Sequence, residues 1–262
     1  MLRRGRPRGR VQKMPAVIAH RGGGKEAPEN TWTAVEHTVG LGLTWLETDL
    51  HVTSDGVVVL WHDPSLPPAS EQVRPIGQQT WKELSQHDVG DGRPPVRLDD
   101  VLHAFPRLHL NMDLKVPEVV QPALQAVRAA QALERVRFAS FSARRLAVLR
   151  RQEPRATTSV GVSDVAGLLL LAESGLPLPR TRWSWMQDRS KVDCVQVPTV
   201  HKGVPVVTRR FVAAAHRLGL EVHVWTVDDP AEMERLARLN VDALITDVPA
   251  VALERMRLLA TA

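Results

Sequence analysis

The sequence predicts an α/β fold, a closed (β/α)8 TIM barrel with a β-hairpin and a small insertion after its second strand. Short apolar, β-branched segments alternate with helical patterns, and eight of these segments are strands when the hairpin's return strand is set aside. The 262 residues, 44% of them hydrophobic, suffice for one large core. An open doubly wound sheet is the alternative, but the first turn, His20-Arg21-Gly22-Gly23-Gly24, lacks the G-x-G-x-x-G spacing of dinucleotide-binding folds.

The apolar runs and the residues that flank them give the bounds of each element. Strands are predicted at residues 16–19, 45–50, 108–114, 136–140, 157–160, 193–197, 221–227 and 242–246. Helices are predicted at residues 31–41, 80–86, 98–105, 118–133, 163–173, 209–218, 230–239 and 249–260, with one more after Ser142. Asn30 is predicted to cap the first helix and Gly42 to end it. Residues 64–107 are predicted to form the small insertion.

The stretch Trp45–Asp63 is predicted to be a hairpin that brings polar groups together. Glu47 and Asp49 lie two residues apart, so strand geometry points both carboxylates to one face. The turn at Ser54-Asp55 is too short for a crossover helix, and the second strand therefore returns antiparallel. Pairing centred on that turn places Glu47 opposite His62, which would unite two carboxylates and an imidazole.

Charge and cysteine content exclude several kinds of protein. Residues 1–13 contain six basic side chains and no acidic one, and we expect a disordered basic arm, or an over-long gene start with Met14 as the first residue. The remaining chain has 28 basic and 29 acidic side chains, so its net charge of −1 offers no broad face for nucleic acid. The single cysteine, Cys194, forbids an internal disulfide. With no membrane-spanning run and no secretory signal, the chain is expected to be cytoplasmic.

Charged side chains follow the ends of the predicted strands, which in a barrel face one common mouth. The residues at this mouth are predicted to be His20, Arg21, Glu47, Asp49, His62, Asp113, Lys115, Trp225 and Asp247. Unpaired buried charges are costly, so such a gathering indicates a use. The other eight histidines, His201 and His216 among them, are interpreted as structural.

The residue types at the mouth indicate phosphoryl transfer. Three carboxylates without a cysteine suit one hard divalent cation, Mg²⁺ or Ca²⁺. Arg21 and Lys115 add donors for a phosphate. Two histidines can act as general base and general acid, because their pKa lies near the working pH. A metal, two cations and an acid–base pair together favour this class of reaction.

Several short motifs occur in a set order along the chain. They are His20-Arg21-Gly22, Pro28-Glu29-Asn30-Thr31, Glu47-Thr48-Asp49, Ser54-Asp55-Gly56, His62-Asp63, Met112-Asp113-Leu114-Lys115, Ser140-Phe141, Val224-Trp225-Thr226-Val227 and Ile245-Thr246-Asp247-Val248-Pro249. In these motifs the chain resembles the glycerophosphodiester phosphodiesterases, metal-dependent (β/α)8 enzymes, from about residue 16 to residue 250.

The resemblance implies His20 and His62 as the acid–base pair. It also implies Glu47, Asp49 and Asp113 as ligands of the metal. The family usually has Glu where this chain has Asp113, and a shorter carboxylate must lie closer to the metal or bind it through water. The related spider-venom phospholipases D resemble the chain at this point, since they use Asp there.

Further roles follow from the same resemblance. Arg21 and Lys115 would contact the phosphate, Glu29 would brace Arg21 or a metal-bound water, and Trp225 would meet the glycerol or alcohol group. The expected reaction splits a glycerophosphodiester into glycerol 3-phosphate and an alcohol through a cyclic phosphate.

Two other functions stay open. One is phospholipase D-like cleavage of lysophospholipids, with an apolar groove supplied by Trp183 and Trp185 in a loop over residues 175–192. The other is a barrel that only binds phosphodiesters or a protein partner.

Overall fold

Eight parallel strands close into a barrel in the computed structural model, which describes residues 14–66, 74–175 and 191–261. The strands of the described residues are β1 (Ala16–His20), β2 (Trp45–Val52), β3 (Val58–Leu60), β4 (His109–Leu114), β5 (Val136–Ala139), β6 (Thr157–Ser159), β7 (Lys191–Pro198), β8 (Val200–His201), β9 (Val204–Pro205), β10 (Glu221–Trp225) and β11 (Ala243–Thr246); β3, β8 and β9 lie outside the barrel. Pairing runs in the order β1-β11-β10-β7-β6-β5-β4-β2 and returns from β2 to β1. The predicted barrel is confirmed.

Helices alternate with the barrel strands, as the sequence pattern predicts. The α-helices are α1 (Trp32–Gly40), α2 (Trp81–Leu84), α3 (Leu98–Ala104), α4 (Val120–Ala129), α5 (Ala143–Gln152), α6 (Val162–Ser174), α7 (Arg209–Arg217), α8 (Pro230–Arg238) and α9 (Pro249–Thr261). Most of the core lies in two apolar clusters between strands and helices, one built largely around β2 and β4 and the other around β7 and β10. No helix among the described residues is long and apolar enough to cross a membrane.

The β2–β3 hairpin forms, but its register differs by one residue from the prediction. Leu50 pairs with Leu60, so the predicted pairing of Glu47 with His62 is wrong. The reason is the turn, in which Gly56 has a φ of +86° and adds a third residue to the two that the sequence suggested. His62 consequently lies beyond the end of β3, on the segment that leaves the hairpin.

The cap of α1 also lies one residue away from its predicted position. Thr31 is the N-cap, and its hydroxyl accepts a hydrogen bond from the backbone N of Ala34. Asn30 has a φ of +57°, and its amide is used elsewhere: it donates to Asp49 (3.1 Å) and accepts from Thr48 (2.7 Å). Both residue types cap helices well, so the sequence alone does not choose between them.

Two segments outside the barrel differ in how well the sequence predicts them. Between β3 and β4, the described residues 74–107 contain α2 and α3, close to the two helical pieces expected there. After β7, the strands β8 and β9 form an antiparallel hairpin that the sequence does not predict, since strands of two residues leave no alternating pattern. The basic arm and the two tryptophans at 183 and 185 lie outside the described residues.

Candidate active site

A cavity of about 470 Å³ opens at the carboxyl ends of the barrel strands. The residues predicted at the mouth or the site line it with two exceptions: Glu29, which contacts Arg21, and Asp247, which contacts His20. Register explains why they meet: His20 pairs with Glu47 across β1 and β2, and Asp49 pairs with Asp113 across β2 and β4. Parallel strands in this register place the charged side chains at two adjacent levels, two residues apart along β2, at the mouth of the barrel.

His20, the last residue of β1, is held by a carboxylate on the neighbouring strand end. Its Nδ1 lies 2.7 Å from Oδ1 of Asp247, and its Nε2 lies 3.8 Å from Oε2 of Glu47. Because a carboxylate only accepts hydrogen bonds, Nδ1 is the protonated nitrogen in the neutral ring. Burial lowers the pKa of His20, but the bond to Asp247 and the charge of Glu47 outweigh burial and raise this pKa above its ordinary value.

Asp247 is in turn fixed by Asp228, in the loop after β10. Asp228 accepts hydrogen bonds from the backbone N of Asp247 (2.8 Å), the hydroxyl of Thr246 (3.0 Å) and the ammonium of Lys25 (2.9 Å). The strand-end rule places Asp247 at the mouth but gives it no partner. Asp228 has no sequence signal of its own, because its role depends on a contact between two loops.

Arg21 follows β1 and contacts two carboxylates. Its Nη1 donates to both oxygens of Glu29 (3.0 and 3.1 Å), and its Nε lies 3.0 Å from Oδ2 of Asp49 in an ion pair. The turn after it passes very close to α1: a Cβ on Gly22 would lie 2.4 Å from the Cβ of Ala34. Only glycine fits there, and its φ of +86° adds to this requirement.

Lys115 lies between two of the predicted metal ligands. Its Nζ is 2.8 Å from both Oδ1 of Asp49 and Oδ2 of Asp113. Burial alone raises the pKa of both carboxyls. For Asp49 the charges of Lys115 and Arg21 outweigh burial and lower its pKa. The pKa of Asp113 stays raised, because there burial outweighs the charge of Lys115.

The donor set suits a divalent cation, although the side chains do not enclose one as they stand. No group of three acidic, imidazole or thiol side chains in the described parts of the chain is arranged to hold a metal, and the ammonium of Lys115 occupies the space between Asp49 and Asp113. The buried Glu47 accepts only one long hydrogen bond in the described structure, from the backbone N of Arg21 at 3.4 Å. Burial and the nearby charge of Asp49 raise the pKa of Glu47 to about 8. A buried carboxylate with so few donors fits a hard cation.

His62 lines the cavity from the segment after β3 and is partly exposed. Its Nδ1 lies 2.8 Å from Oδ1 of Asp63, which leaves Nε2 as the acceptor of the neutral ring. The backbone of this segment is tied to β2, because Nε2 of His51 lies 3.2 Å from the carbonyl oxygen of His62. His51, interpreted from the sequence as a structural histidine, thus supports the segment that positions His62.

The other half of the cavity is apolar. Trp225, at the end of β10, meets Phe141 edge to face with ring centroids 5.8 Å apart. The apolar wall continues along α6 and the segment after β7 with Val160, Val162, Val165, Leu169 and Val206. His201, interpreted from the sequence as structural, also lines the cavity from the β8–β9 hairpin. The site therefore combines a charged half with an apolar half.

Comparison with known proteins gives one family over nearly the whole chain. Residues 20–251 match the model of the glycerophosphoryl diester phosphodiesterase family. The "Probable glycerophosphodiester phosphodiesterase 2" of Mycobacterium tuberculosis is 35% identical over 233 residues, which are 88% of this chain and 86% of the relative. The human protein named lysophospholipase D GDPD3 is 24% identical over 264 residues, 88% of this chain and 81% of its own length.

A solved structure supports the fold. A phosphodiesterase from Oleispira antarctica, in complex with the product sn-glycerol-3-phosphate, matches 93% of this chain and 97% of its own with a TM-score of 0.74. Its sequence is 20% identical, so the likeness concerns the barrel architecture.

Proposed function

The chain belongs to the glycerophosphoryl diester phosphodiesterase family, and we propose that it hydrolyses glycerophosphodiesters to glycerol 3-phosphate and an alcohol with one divalent cation, Mg²⁺ or Ca²⁺. The observation that supports this most directly is the cavity, which unites the two histidines of the predicted acid–base pair, three carboxylates, Arg21 and Lys115 at the barrel mouth. A phosphodiester is the substrate class that uses all of these groups together.

Glu47, Asp49 and Asp113 would hold the cation. The support is chemical, since all three supply oxygen, the ligand type that Mg²⁺ and Ca²⁺ take, and Glu47 has few other partners. When bound, the cation supplies positive charge for a phosphate oxygen and lowers the pKa of a coordinated hydroxyl. Lys115 would then turn from Asp49 and Asp113 toward the substrate.

The phosphate would be bound by the two cationic side chains. Arg21 offers a planar guanidinium that Glu29 holds in place by two hydrogen bonds, consistent with the predicted bracing role of Glu29. Lys115, which follows β4 at the same mouth, adds a point charge. The apolar wall with Trp225 would contact the glycerol or alcohol group.

His20 would act first as general base. Asp247 keeps the proton on Nδ1, so Nε2 is the nitrogen that accepts the proton of the glycerol hydroxyl as its oxygen attacks phosphorus. The bond from phosphorus to the alcohol oxygen breaks, and His62 would donate a proton to that oxygen. Water would then open the cyclic phosphate with the two roles exchanged, which returns both histidines to their starting states.

The test is release of glycerol 3-phosphate from glycerophosphocholine and glycerophosphoethanolamine, first with EDTA and then with Mg²⁺ or Ca²⁺ restored. Release that stops with EDTA and returns with one of the cations is the expected result. Release that is unaffected by EDTA would contradict the requirement for a divalent cation. No release with any divalent ion would favour a barrel that only binds phosphodiesters.

Lysophospholipids are a second candidate substrate, and the apolar half of the cavity favours them. A single acyl chain could lie along Phe141, Val162 and Leu169 while the phosphate stays in the charged half. A relative named lysophospholipase D adds support. Comparing choline release from lysophosphatidylcholine and from glycerophosphocholine distinguishes the two substrates.

A further inference from the structure

Exposed apolar side chains gather on one side of the cavity mouth. Phe141, Val162, Val200 and Val204 are 61%, 50%, 52% and 56% exposed, and we call these four residues the apolar rim. They belong to the segments that follow β5, β6 and β7, which are neighbouring strands of the barrel. Isolated exposed apolar residues are common on proteins, whereas a grouped set beside a cavity indicates an interaction surface.

The β8–β9 hairpin presents half of this rim on a projecting element. Lys202 and Gly203 both have positive φ values, +49° and +79°, which is the geometry of a tight two-residue hairpin turn. His201 pairs with Val204, so these two side chains share one face of the hairpin and Val200 lies on the other. Val200 and Val204 are thus exposed on opposite faces, so both faces of the hairpin are accessible to solvent.

The rim is continuous with the interior of the site. Phe141 and Val162 belong both to the rim and to the cavity wall, and His201 lines the cavity from the hairpin. An apolar surface therefore runs from the outside of the mouth into the apolar half of the cavity. The charged half, with His20 and Lys115, lies beyond it.

Four exposed cations lie close to the rim residues along the chain. Arg144 follows Phe141 closely, Lys202 is at the hairpin tip, and Arg209 and Arg210 begin α7; all four are exposed. Glu173, which pairs with Arg210 at 3.8 Å, and Asp164, two residues after Val162, compensate only part of this charge. Apolar side chains bordered by Lys and Arg are the composition that binds an anionic lipid surface, with the apolar groups among the acyl chains and the cations at the phosphates.

We propose that the apolar rim docks the cavity mouth onto anionic lipid surfaces. The surface would place the mouth where single-chain lipids partition, with the apolar half of the cavity facing the acyl chains. This goes beyond the proposed hydrolysis, because docking concerns the surface that the enzyme meets and is measured without turnover.

Flotation of the full-length chain with phosphatidylglycerol–phosphatidylcholine vesicles tests the proposal. The rim variant is Val200→Asp with Val204→Asp, and its matched control is Val39→Asp with Leu258→Asp, which adds two charges at exposed apolar positions at the opposite end of the barrel. The basic arm is present in every protein and affects all of them alike. The wild type and the control should bind, and the rim variant should bind about tenfold more weakly or worse.

The activity and the thermal stability of the rim variant show whether a loss of binding comes from the rim itself. The rim variant should release glycerol 3-phosphate from dissolved glycerophosphocholine at the wild-type rate, so a failure of docking is distinguishable from a failure of the proposed hydrolysis. The milder Val200→Ser with Val204→Ser replaces the rim variant if its thermal midpoint is lowered. Equal binding by rim and control variants, no binding by the wild type, or a rim-dependent dimer in light scattering would each overturn the proposal.

Discussion

Nδ1 of His20 and Oδ1 of Asp247 lie 2.7 Å apart at the ends of neighbouring strands β1 and β11. The contact fixes the ring orientation and its tautomer, and Asp228 holds the backbone of Asp247 from the next loop. Three elements of the barrel thus position a single imidazole. Such support is typical of a histidine that transfers protons, because a general base must be oriented before its pKa matters.

Replacing Asp247 with Asn should lower kcat/KM by about 10²–10⁴-fold, since the ring loses its orienting carboxylate. It should also shift the pH profile. Asp247 raises the pKa of His20, and the base acts only when deprotonated, so its removal moves the acid limb of the profile to lower pH. Asp229→Asn, the same change at the cap of α8, is the control and should leave both quantities unchanged. An unaltered acid limb in the Asp247 variant would contradict His20 as the base.

Replacing Asp113 with Glu restores the residue usual in the family and should keep the enzyme active. The longer side chain changes the distance from carboxylate to cation, so the ratio of rates with Mg²⁺ and with Ca²⁺ should change. Titration of each cation, followed by calorimetry and by rate, measures this. Asp100→Glu, on the exposed part of α3, is the control. If the Asp113 variant matches the wild type in both assays, Asp113 is not a ligand.

Gly22→Ala should destabilise the barrel, because the added methyl group meets Ala34 at 2.4 Å and the backbone is left-handed. The expected loss is about 1–3 kcal/mol in the free energy of unfolding, measured by urea denaturation. Gly40→Ala is the control: nothing lies within 4 Å of its added carbon, and it ends a helix. It should be neutral or gain up to about 1 kcal/mol. Equal stability of the two variants would show that the approach of the turn to α1 is not restrictive.

The end of the barrel opposite the mouth contains a buried ion pair. Arg137 donates to Asp193 at 2.9 and 2.6 Å, and its guanidinium lies 4.8 Å from the ring centre of Trp45. Asp193→Ala removes both hydrogen bonds and leaves the buried guanidinium with Trp45 and one ion pair to Glu221 at 3.5 Å, so the unfolding free energy should fall by about 3 kcal/mol.

The exposed pair of Lys191 and Glu134 is the control for this prediction. Lys191→Ala should cost less than about 1 kcal/mol. A similar small loss for Asp193→Ala in urea denaturation would mean that Arg137 is stabilised mainly by its contact with Trp45.

The barrel and the place of its charged residues follow from the sequence because both depend on local pattern. Alternating strands and helices predict the closure, and the strand-end rule brings His20, Asp49 and Asp113 to one mouth before any contact is known. The hairpin register and the cap of α1, which the sequence pattern predicts one residue away, depend on single backbone angles. Gly56 in a left-handed conformation moves the hairpin register by one residue, and Asn30 gives its amide to Asp49 rather than to the helix.

Contacts between loops are the remaining part that the sequence does not supply. The hydrogen bond from the backbone N of Asp247 to Asp228 joins two loops, and nothing in the sequence indicates that these loops are in contact. The β8–β9 hairpin is too short for its pattern to be visible, yet it brings His201 to the cavity. Such features depend on tertiary packing, which one sequence does not encode in a local signal.

The most direct test of the account is the rate of glycerol 3-phosphate release by His20→Ala and by His62→Ala, measured with glycerophosphocholine and the same divalent cation as the wild type. Each variant should lose at least about 10²-fold in rate while its thermal midpoint and cation binding stay near those of the wild type. If either folded, metal-binding variant keeps most of the wild-type rate, the acid–base pair proposed here is wrong.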